Sequence, residues 1–335
     1  MDAIGAAQVL SEIGYLLRQD PDEKFRAKAF SAAAWSLAIE RPDLAALHES
    51  NQLTSLEGVG AGIAKVLVEV LDTGRSRYLD RLREEMKQPA RDDESAIDFA
   101  QYRGDVHSHS NWSDGKATML EMARGAEAMG YEYLGVTDHS PRIKVVNGLN
   151  ADRLLLQSRE MAEVQAQVPG VALMQGIEVD ILEDGALDLP DTVLELLDVV
   201  IASPHVKLRQ EPAAMTERML RAVSHPHVDV IGHPTGRRPG SREGANYDFE
   251  AVFKEAARHG VALEIDCDPA RMDLSPEMAR FALECGCNFA VDGDAHAPAE
   301  FAYVPMGMWL ARRAGIPQNR ILNFLPLDEL TDALR

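Results

Sequence analysis

The chain has little of what marks a secreted, membrane-spanning or DNA-coating protein. Its 335 residues include three cysteines, Cys267, Cys285 and Cys287, too few for a disulfide framework. Reduced thiols in a cytoplasmic protein are the expectation. No apolar run approaches the roughly 20 residues of a membrane helix. Met1–Leu17 is apolar in places but carries Asp2 and Glu12 and lacks a basic leader, so it does not read as a signal peptide. Basic residues are scarce, with 34 Lys+Arg against 54 Asp+Glu and a net charge of −20. That balance argues against loose nucleic-acid binding through bulk charge. It leaves room for a local positive site, and bound divalent cations would offset part of it.

What the chain does have is a set of histidines and carboxylates at the ends of apolar segments. They are His107-Ser108-His109 with Asp114 just beyond, Asp138-His139, Glu178, Pro204-His205, His233-Pro234, Glu264-Ile265-Asp266, and Asp294-Ala295-His296. Divalent metals need imidazole and carboxylate ligands converging from distant parts of a sequence. Six histidines of this kind are hard to explain as packing.

Residues 1–87 read as helical, with apolar residues at helical spacing in Ala6–Leu17, Phe25–Ile39 and Ile63–Leu71, and a short helix after Asp43. Residues 88–103, with Pro89 and the acidic run Asp92-Asp93-Glu94, read as a linker. From 104 to 335, β-rich runs alternate with amphipathic helical stretches. The strand expectations are Asp105–His109, Tyr133–Thr137, Val171–Val179, Val199–Ser203, Val230–Gly232, Ala262–Ile265 and Phe289–Val291. Alternation of this kind implies a parallel sheet. Seven units in about 200 residues suit a closed β/α barrel better than an open sheet. In every unit the polar residues come at the end of the strand, the catalytic face of such a barrel.

His107 and His109 lie two apart on a strand and so share a face. Asp294 and His296 repeat the spacing. The full candidate set is His107, His109, Asp114, His139, Glu178, His205, His233, Asp294 and His296. Six nitrogen and three carboxylate ligands suit Zn²⁺, Mn²⁺ or Fe²⁺. Cations also crowd the loops beyond the strands: Arg142, Lys144, Lys207, Arg209, Arg237, Arg238, Arg242 and Arg271. Arg237 and Arg271 are the foremost candidates for contact with a phosphate, which the guanidinium fork matches. His225 and His227 precede a strand and are expected at the opposite end of the barrel. Both are expected to be structural, His259 to sit at a helix C-terminus where an imidazole suits the dipole, and His48 to lie on the surface of the helical part.

These residues resemble the polymerase-and-histidinol-phosphatase (PHP) family of metal-dependent phosphoesterases. The matching motifs are Asp105-Val106-His107-Ser108-His109 with Ser113-Asp114-Gly115, Gly135-Val136-Thr137-Asp138-His139-Ser140, Gly176-Ile177-Glu178-Val179-Asp180, Ala202-Ser203-Pro204-His205, Gly232-His233-Pro234-Thr235-Gly236-Arg237, and Asp292-Gly293-Asp294-Ala295-His296. The resemblance implies a distorted seven-stranded β/α barrel holding three metals. His107, His109, Glu178 and Asp294 would hold the first. Glu178, His205 and His233 would hold the second, with Glu178 bridging, and Asp114, His139 and His296 the third. It also implies hydrolysis of a phosphate ester by metal-activated hydroxide, the pKa of bound water falling toward about 7. Asp266 stands where polymerase-linked relatives usually have asparagine.

In the N-terminal part, Ser55-Leu56-Glu57-Gly58-Val59-Gly60-Ala61-Gly62-Ile63-Ala64 resembles a helix-hairpin-helix. Phe25-Arg26-Ala27-Lys28-Ala29-Phe30 and Thr73-Gly74-Arg75-Ser76-Arg77-Tyr78-Leu79 resemble its flanking helices in family X DNA polymerases. By that resemblance Gly58, Gly60, Gly62 and Lys65 are candidate DNA contacts. Residues 88–103 then stand in place of a polymerase palm. Two departures weaken the DNA reading. Val66 occupies the Schiff-base lysine position of lyase-active relatives, which argues against lyase activity, and Glu57 would repel a phosphate. Residues 1–95 hold 12 basic against 17 acidic residues, a net of −5, so any DNA contact there is local.

Three functions are in contention. The first is a DNA-repair phosphodiesterase, a 3′–5′ exonuclease or abasic-site endonuclease. The second is a phosphomonoesterase on a small metabolite such as histidinol phosphate or a nucleotide. The third is a non-catalytic DNA-binding or scaffold protein. Neither a membrane nor a particular protein partner is indicated.

Overall fold

A computed structural model describes residues 1–18, 20–85 and 97–334. The chain forms two compact units, residues 1–94 with 239–242, and residues 95–238 with 243–335. Residues 88–96 of the expected linker lie outside the described residues. Residues 97–103 belong with the second unit, where the Tyr102 hydroxyl donates to the Val291 carbonyl at 3.0 Å and the Arg103 amide to that of Asn323 at 2.9 Å.

The first unit is helical: α1 (Ala3–Arg18), α2 (Lys24–Glu40), α3 (Leu44–Glu49), α4 (Ala61–Thr73) and α5 (Arg77–Glu85). Leu10, Ile13, Leu16, Leu37 and Leu67 are fully buried, as the helical spacing of apolar residues requires. α2 ends where Arg41 turns left-handed and Pro42 cannot continue it. Asp43 caps α3, its side chain accepting from the Ala46 amide. Buried Glu12 is held by Arg83 through two hydrogen bonds of 2.6 Å.

The second unit contains seven parallel strands: β1 (Gly104–Ser108), β2 (Tyr133–Val136), β3 (Ala172–Asp180), β4 (Val199–Ser203), β5 (Val230–Ile231), β6 (Ala262–Asp266) and β7 (Phe289–Asp292). Each pairs with the next, in sequence order. Around them run α6 (Met119–Met129), α7 (Ala151–Gln167), α8 (Asp191–Leu194), α9 (Pro212–Val223), α10 (Phe249–His259), α11 (Pro276–Glu284), α12 (Val304–Ala314) and α13 (Leu327–Ala333). α6 starts with a capping box between Thr118 and Glu121. Strand starts such as Tyr133, Val199, Val230 and Ala262 pack with Leu322, Leu330 and Leu334, so the C-terminal segment plugs the end of the barrel opposite the histidines.

The barrel is nearly closed. Between β1 and β7 the backbone meets at Ser108 and Ala295, with the His109 amide donating to the Ala295 carbonyl at 2.8 Å. Below that point side chains take over. Asp292 Oδ1 accepts from the Val106 amide at 2.9 Å and Asp105 Oδ2 from the Gly293 amide at 2.8 Å. Fully buried Asn323 accepts from the Val291 amide at 2.7 Å and donates to the Gly104 carbonyl at 2.9 Å and to Asp292 at 2.8 Å.

Asp229, just before β5, accepts from the Val200 amide at 2.8 Å through Oδ2, and burial pushes its carboxyl up to about 7. Between pH 4 and 7 the folded chain therefore binds a proton that the unfolded chain has lost. Stability falls as pH rises across that window and levels off above it. Asp229→Asn keeps an acceptor for Val200 without the buried charge. We expect it to raise stability by about 2–4 kcal/mol at pH 8, with the gain vanishing toward pH 4. Denaturant titrations at the two pH values check this, and an equal gain at both would contradict it.

Candidate metal centre

The carboxyl ends of the strands bring all nine sequence-selected residues together. The β3 residue Glu178, fully buried, lies at their centre. Its Oε1 lies 2.8 Å from His233 Nε2 and 3.1 Å from His205 Nε2. Its Oε2 lies 2.8 Å from His139 Nδ1 and 3.6 Å from both His107 Nε2 and His109 Nε2. Asp294 Oδ1 approaches His109 Nε2 to 2.9 Å and His107 Nε2 to 3.6 Å. Asp114, on the loop after β1, places Oδ1 3.3 Å from His296 Nε2 and 3.5 Å from His139 Nε2.

Three overlapping groups have ligand atoms close enough to share an ion: His107, His109 and Asp294; His139, Glu178 and His205; and His109, Asp114, His139 and His296. His109 and His139 each present one ring nitrogen to the first or second of these groups and the other toward Asp114. This makes the boundaries between subsites less sharp than the expected division into threes and fours. Among the buried atoms without a hydrogen-bond partner are His109 Nδ1, His233 Nδ1, Glu178 Oε2 and Asp294 Oδ1. Each such atom costs about 1–3 kcal/mol when left unpaired. A cluster of unpaired imidazole and carboxylate atoms in one place is what divalent cations satisfy, so the residues fit the metals.

Electrostatics agree. Against burial, the charges of His205, His139 and His107 hold the Glu178 carboxyl well below the usual range. Burial, with His296 and His139 nearby, pushes His109 down to about 3. Burial and then Arg271 push His233 down to about 3. Both imidazoles are neutral at physiological pH, the form that binds a metal. Against burial, Glu178 raises His205 to about 9, and Asp114 raises His296 to about 9.

Behind the cluster stand carboxylates that orient it. Glu264 Oε1 lies 2.5 Å from His107 Nδ1, and Glu264 Oε2 accepts the His233 amide at 2.5 Å. Asp180 Oδ1 lies 3.1 Å from His205 Nδ1. Asp273 accepts from the amides of Thr235 and Gly236 and from the Thr235 hydroxyl, fixing the turn that carries His233. The sequence reading gave none of the three a role. For Glu264 and Asp180 the signal was their place at strand ends, where a carboxylate commonly turns a histidine ring; Asp273, on the loop beyond β6, carried no such signal.

A cavity of about 370 Å³ opens over the cluster, lined by Asp114, His139, His205, Asp294 and His296 together with Lys116, Ile143, Val146, Arg238, Asp268, Arg271, Glu300 and Tyr303. Arg271 is one of the two arginines expected at a phosphate. Its Nε lies 3.4 Å from Asp266 and from Asp294, and its side chain is 12% exposed. Arg237, the other, donates through Nε and Nη2 to the Met272 carbonyl and does not line this cavity; its neighbour Arg238 does. Arg142 pairs with Glu183 at 2.7 Å. His225 lies 3.3 Å from Asp191, His259 3.1 Å from Glu255, and His48 2.8 Å from Asp72.

In the helical unit, Gly58 has φ 75°, and a Cβ there would press on the Ala33 backbone at 3.3 Å, so only glycine suits this turn. Gly60 caps α4 without a side-chain hydrogen bond, and Gly60 and Gly62 face open space. Lys65 is exposed and Val66 buried, which puts no amine at the expected Schiff-base position.

Comparison with known proteins agrees with this architecture. Residues 105–268 match the PHP domain and residues 5–76 match a helix-hairpin-helix domain. The DNA polymerase/3′-5′ exonuclease PolX of Bacillus subtilis is 37% identical over 239 residues, covering 71% of this chain and 42% of the relative. The chain thus spans less than half the length of that polymerase. A probable phosphatase of Thermoanaerobacter sp. (strain X514) is 31% identical over 232 residues, covering 65% of this chain and 89% of the relative. The structure of a histidinol phosphate phosphatase from Lactococcus lactis, with zinc, L-histidinol and phosphate, gives a TM-score of 0.47 at 16% identity over 64% of this chain and 94% of that one. The chain belongs to the PHP-domain family, with a helix-hairpin-helix domain at its N-terminal side.

Proposed function

We propose that this protein shortens DNA strands from a free 3′ end by hydrolysing terminal phosphodiester bonds, as a DNA-repair exonuclease. Membership of the family makes it a phosphoester hydrolase; the substrate is the open question. The observation that carries the exonuclease reading is the small cavity above the nine-residue cluster. At about 370 Å³ it is near the lower end for a small-molecule site. It suits one terminal nucleotide better than an abasic site inside a duplex. The helix-hairpin-helix match and the polymerase/exonuclease relative support DNA as the polymer.

The nine residues would hold up to three divalent ions, divided as His107, His109, Glu178 and Asp294, then Glu178, His205 and His233, then Asp114, His139 and His296. Zn²⁺ or Mn²⁺ suits this donor set, with Fe²⁺ the alternative. When bound, such ions polarise phosphoryl oxygens and supply an activated water at neutral pH. Arg271 lies with Nε 3.4 Å from Asp266 and from Asp294 and lines the cavity, where its guanidinium would bind a phosphate. Lys116 and Arg238 add positive charge around it. With an activated water supplied by bound ions, no side-chain nucleophile is needed and hydrolysis would be direct.

A second reading, a phosphomonoesterase, draws on the probable phosphatase, 89% of whose length this chain spans. Purified protein with Mn²⁺ or Zn²⁺ separates the two. Linear single strands, the same strand circularised, an abasic duplex, thymidine 5′-monophosphate and histidinol phosphate would be compared. We expect mononucleotides from the linear strand and none from the circle. Turnover confined to the monoesters would replace the exonuclease with the second reading.

A further inference from the structure

The cavity is not polar throughout. The loop that leaves His139 carries Ile143 and Val146 into its lining, and between them Val145 stands 91% exposed. Ile143 and Val146 are only partly buried and Val145 hardly at all, so apolar surface stays open at the mouth of a metal-ligand cluster, an arrangement that points to a ligand.

The loop is also built to hold its shape. At its start the Arg142 amide donates to Asp188 at 2.5 Å. At its end the Leu149 amide donates to the His139 carbonyl at 2.7 Å, and Leu149 is fully buried. Asn147 turns left-handed at φ 54° and donates to the Trp112 carbonyl at 3.3 Å. Arg153, over the Trp112 ring, donates to the carbonyls of Trp112, Asn147 and Gly148. Gly148 lies so close to the Ser140 carbonyl that any Cβ would collide with it. The apolar residues are therefore presented on a pinned loop.

We propose that Ile143 and Val146, with Val145 at the rim, form the seat for the nucleobase of the nucleotide whose phosphate enters the metal cluster, and so determine specificity. The cavity continues from this seat to His139, His205 and Arg271, which joins a place for a flat apolar ring to a place for its phosphate. At about 370 Å³ the cavity has room for one such nucleotide. The proposal rests on the phosphate-ester reading and adds which part of the ester is recognised.

The test is Ile143→Ser combined with Val146→Ser, with Leu155→Ser, an exposed position on α7 that does not line the cavity, as control. Calorimetry on the metal-loaded protein would compare thymidine 5′-monophosphate with the 5′-phosphate of its tetrahydrofuran analogue, which has hydrogen in place of the base. Wild type and control are expected to bind the base-bearing probe more tightly. The double variant should lose roughly 10- to 100-fold for that probe and nothing for the other. Kinetically, a strand ending in thymidine should show a raised KM with kcat preserved, while one ending in an abasic tetrahydrofuran nucleotide is unaffected. Equal losses for both probes would mean that the loop only supports the metal site, and unchanged binding would mean that the base does not sit there. Either result overturns the proposal. Because the calorimetry does not require strand cleavage, it reads the seat even if the exonuclease assignment fails.

Discussion

Glu178→Gln should abolish phosphoester hydrolysis while leaving the barrel folded. The carboxylate lies within 3.6 Å of five histidines, and its two oxygens face different sets of them. Glutamine keeps the shape and one acceptor but loses the charge that draws cations to both sides. Metal stabilisation of developing charge contributes several kcal/mol, so kcat/KM should fall roughly 10³-fold or more. Metal content per chain, measured by mass spectrometry after dialysis, should fall in parallel. The rise in melting temperature on adding metal should shrink, because a ligand that binds only the folded state stabilises it by mass action. Full metal content with full activity would remove Glu178 from the centre of the mechanism.

Asn323→Ala should give the largest loss of stability. Asn323 lies in the seam between β1 and β7, where it serves the Val291 amide, the Gly104 carbonyl and Asp292. Alanine leaves the Val291 amide and the Gly104 carbonyl without this partner, at about 1–3 kcal/mol each, and removes one of the donors to Asp292. Partial relaxation brings the expected total to about 3–5 kcal/mol, among the larger effects of a single substitution. For a unit of this size that is about 10 °C in melting temperature. Asn323→Asp isolates the cause. It restores the acceptor for Val291 but points oxygen at the Gly104 carbonyl and at Asp292, so it should rescue little at neutral pH. A melting temperature unchanged in both variants would show that the seam is held by other contacts.

The strands were legible because short β-rich runs alternate with amphipathic helical stretches, and β4 spans the same residues, Val199–Ser203, in the sequence reading and in the structure. The candidate ligands were legible because they cluster at or just beyond the ends of those runs. α12 and α13 escaped the reading. α12 is buried along most of its length and so lacks a polar face to set its period, and α13 is only seven residues long. Arg237 and Arg238 could not be told apart in sequence, because neighbouring side chains on a turn diverge with the backbone. His233 at φ 27° and Gly236 at φ 61° set that divergence.

The sequence by itself determined the β/α alternation, the helical N-terminal unit and the nine metal-ligand candidates, because periodicity and residue chemistry are local properties. Only the tertiary structure decided which imidazole nitrogen faces which carboxylate, since that depends on strands far apart in the chain. It also placed Glu264 and Asp180 behind the rings of His107 and His205, closed β1 against β7 through Asp105, Asp292 and Asn323, and brought Ile143 and Val146 to the mouth of the cavity. Each of these follows from barrel closure, which brings together residues that no sequence window contains.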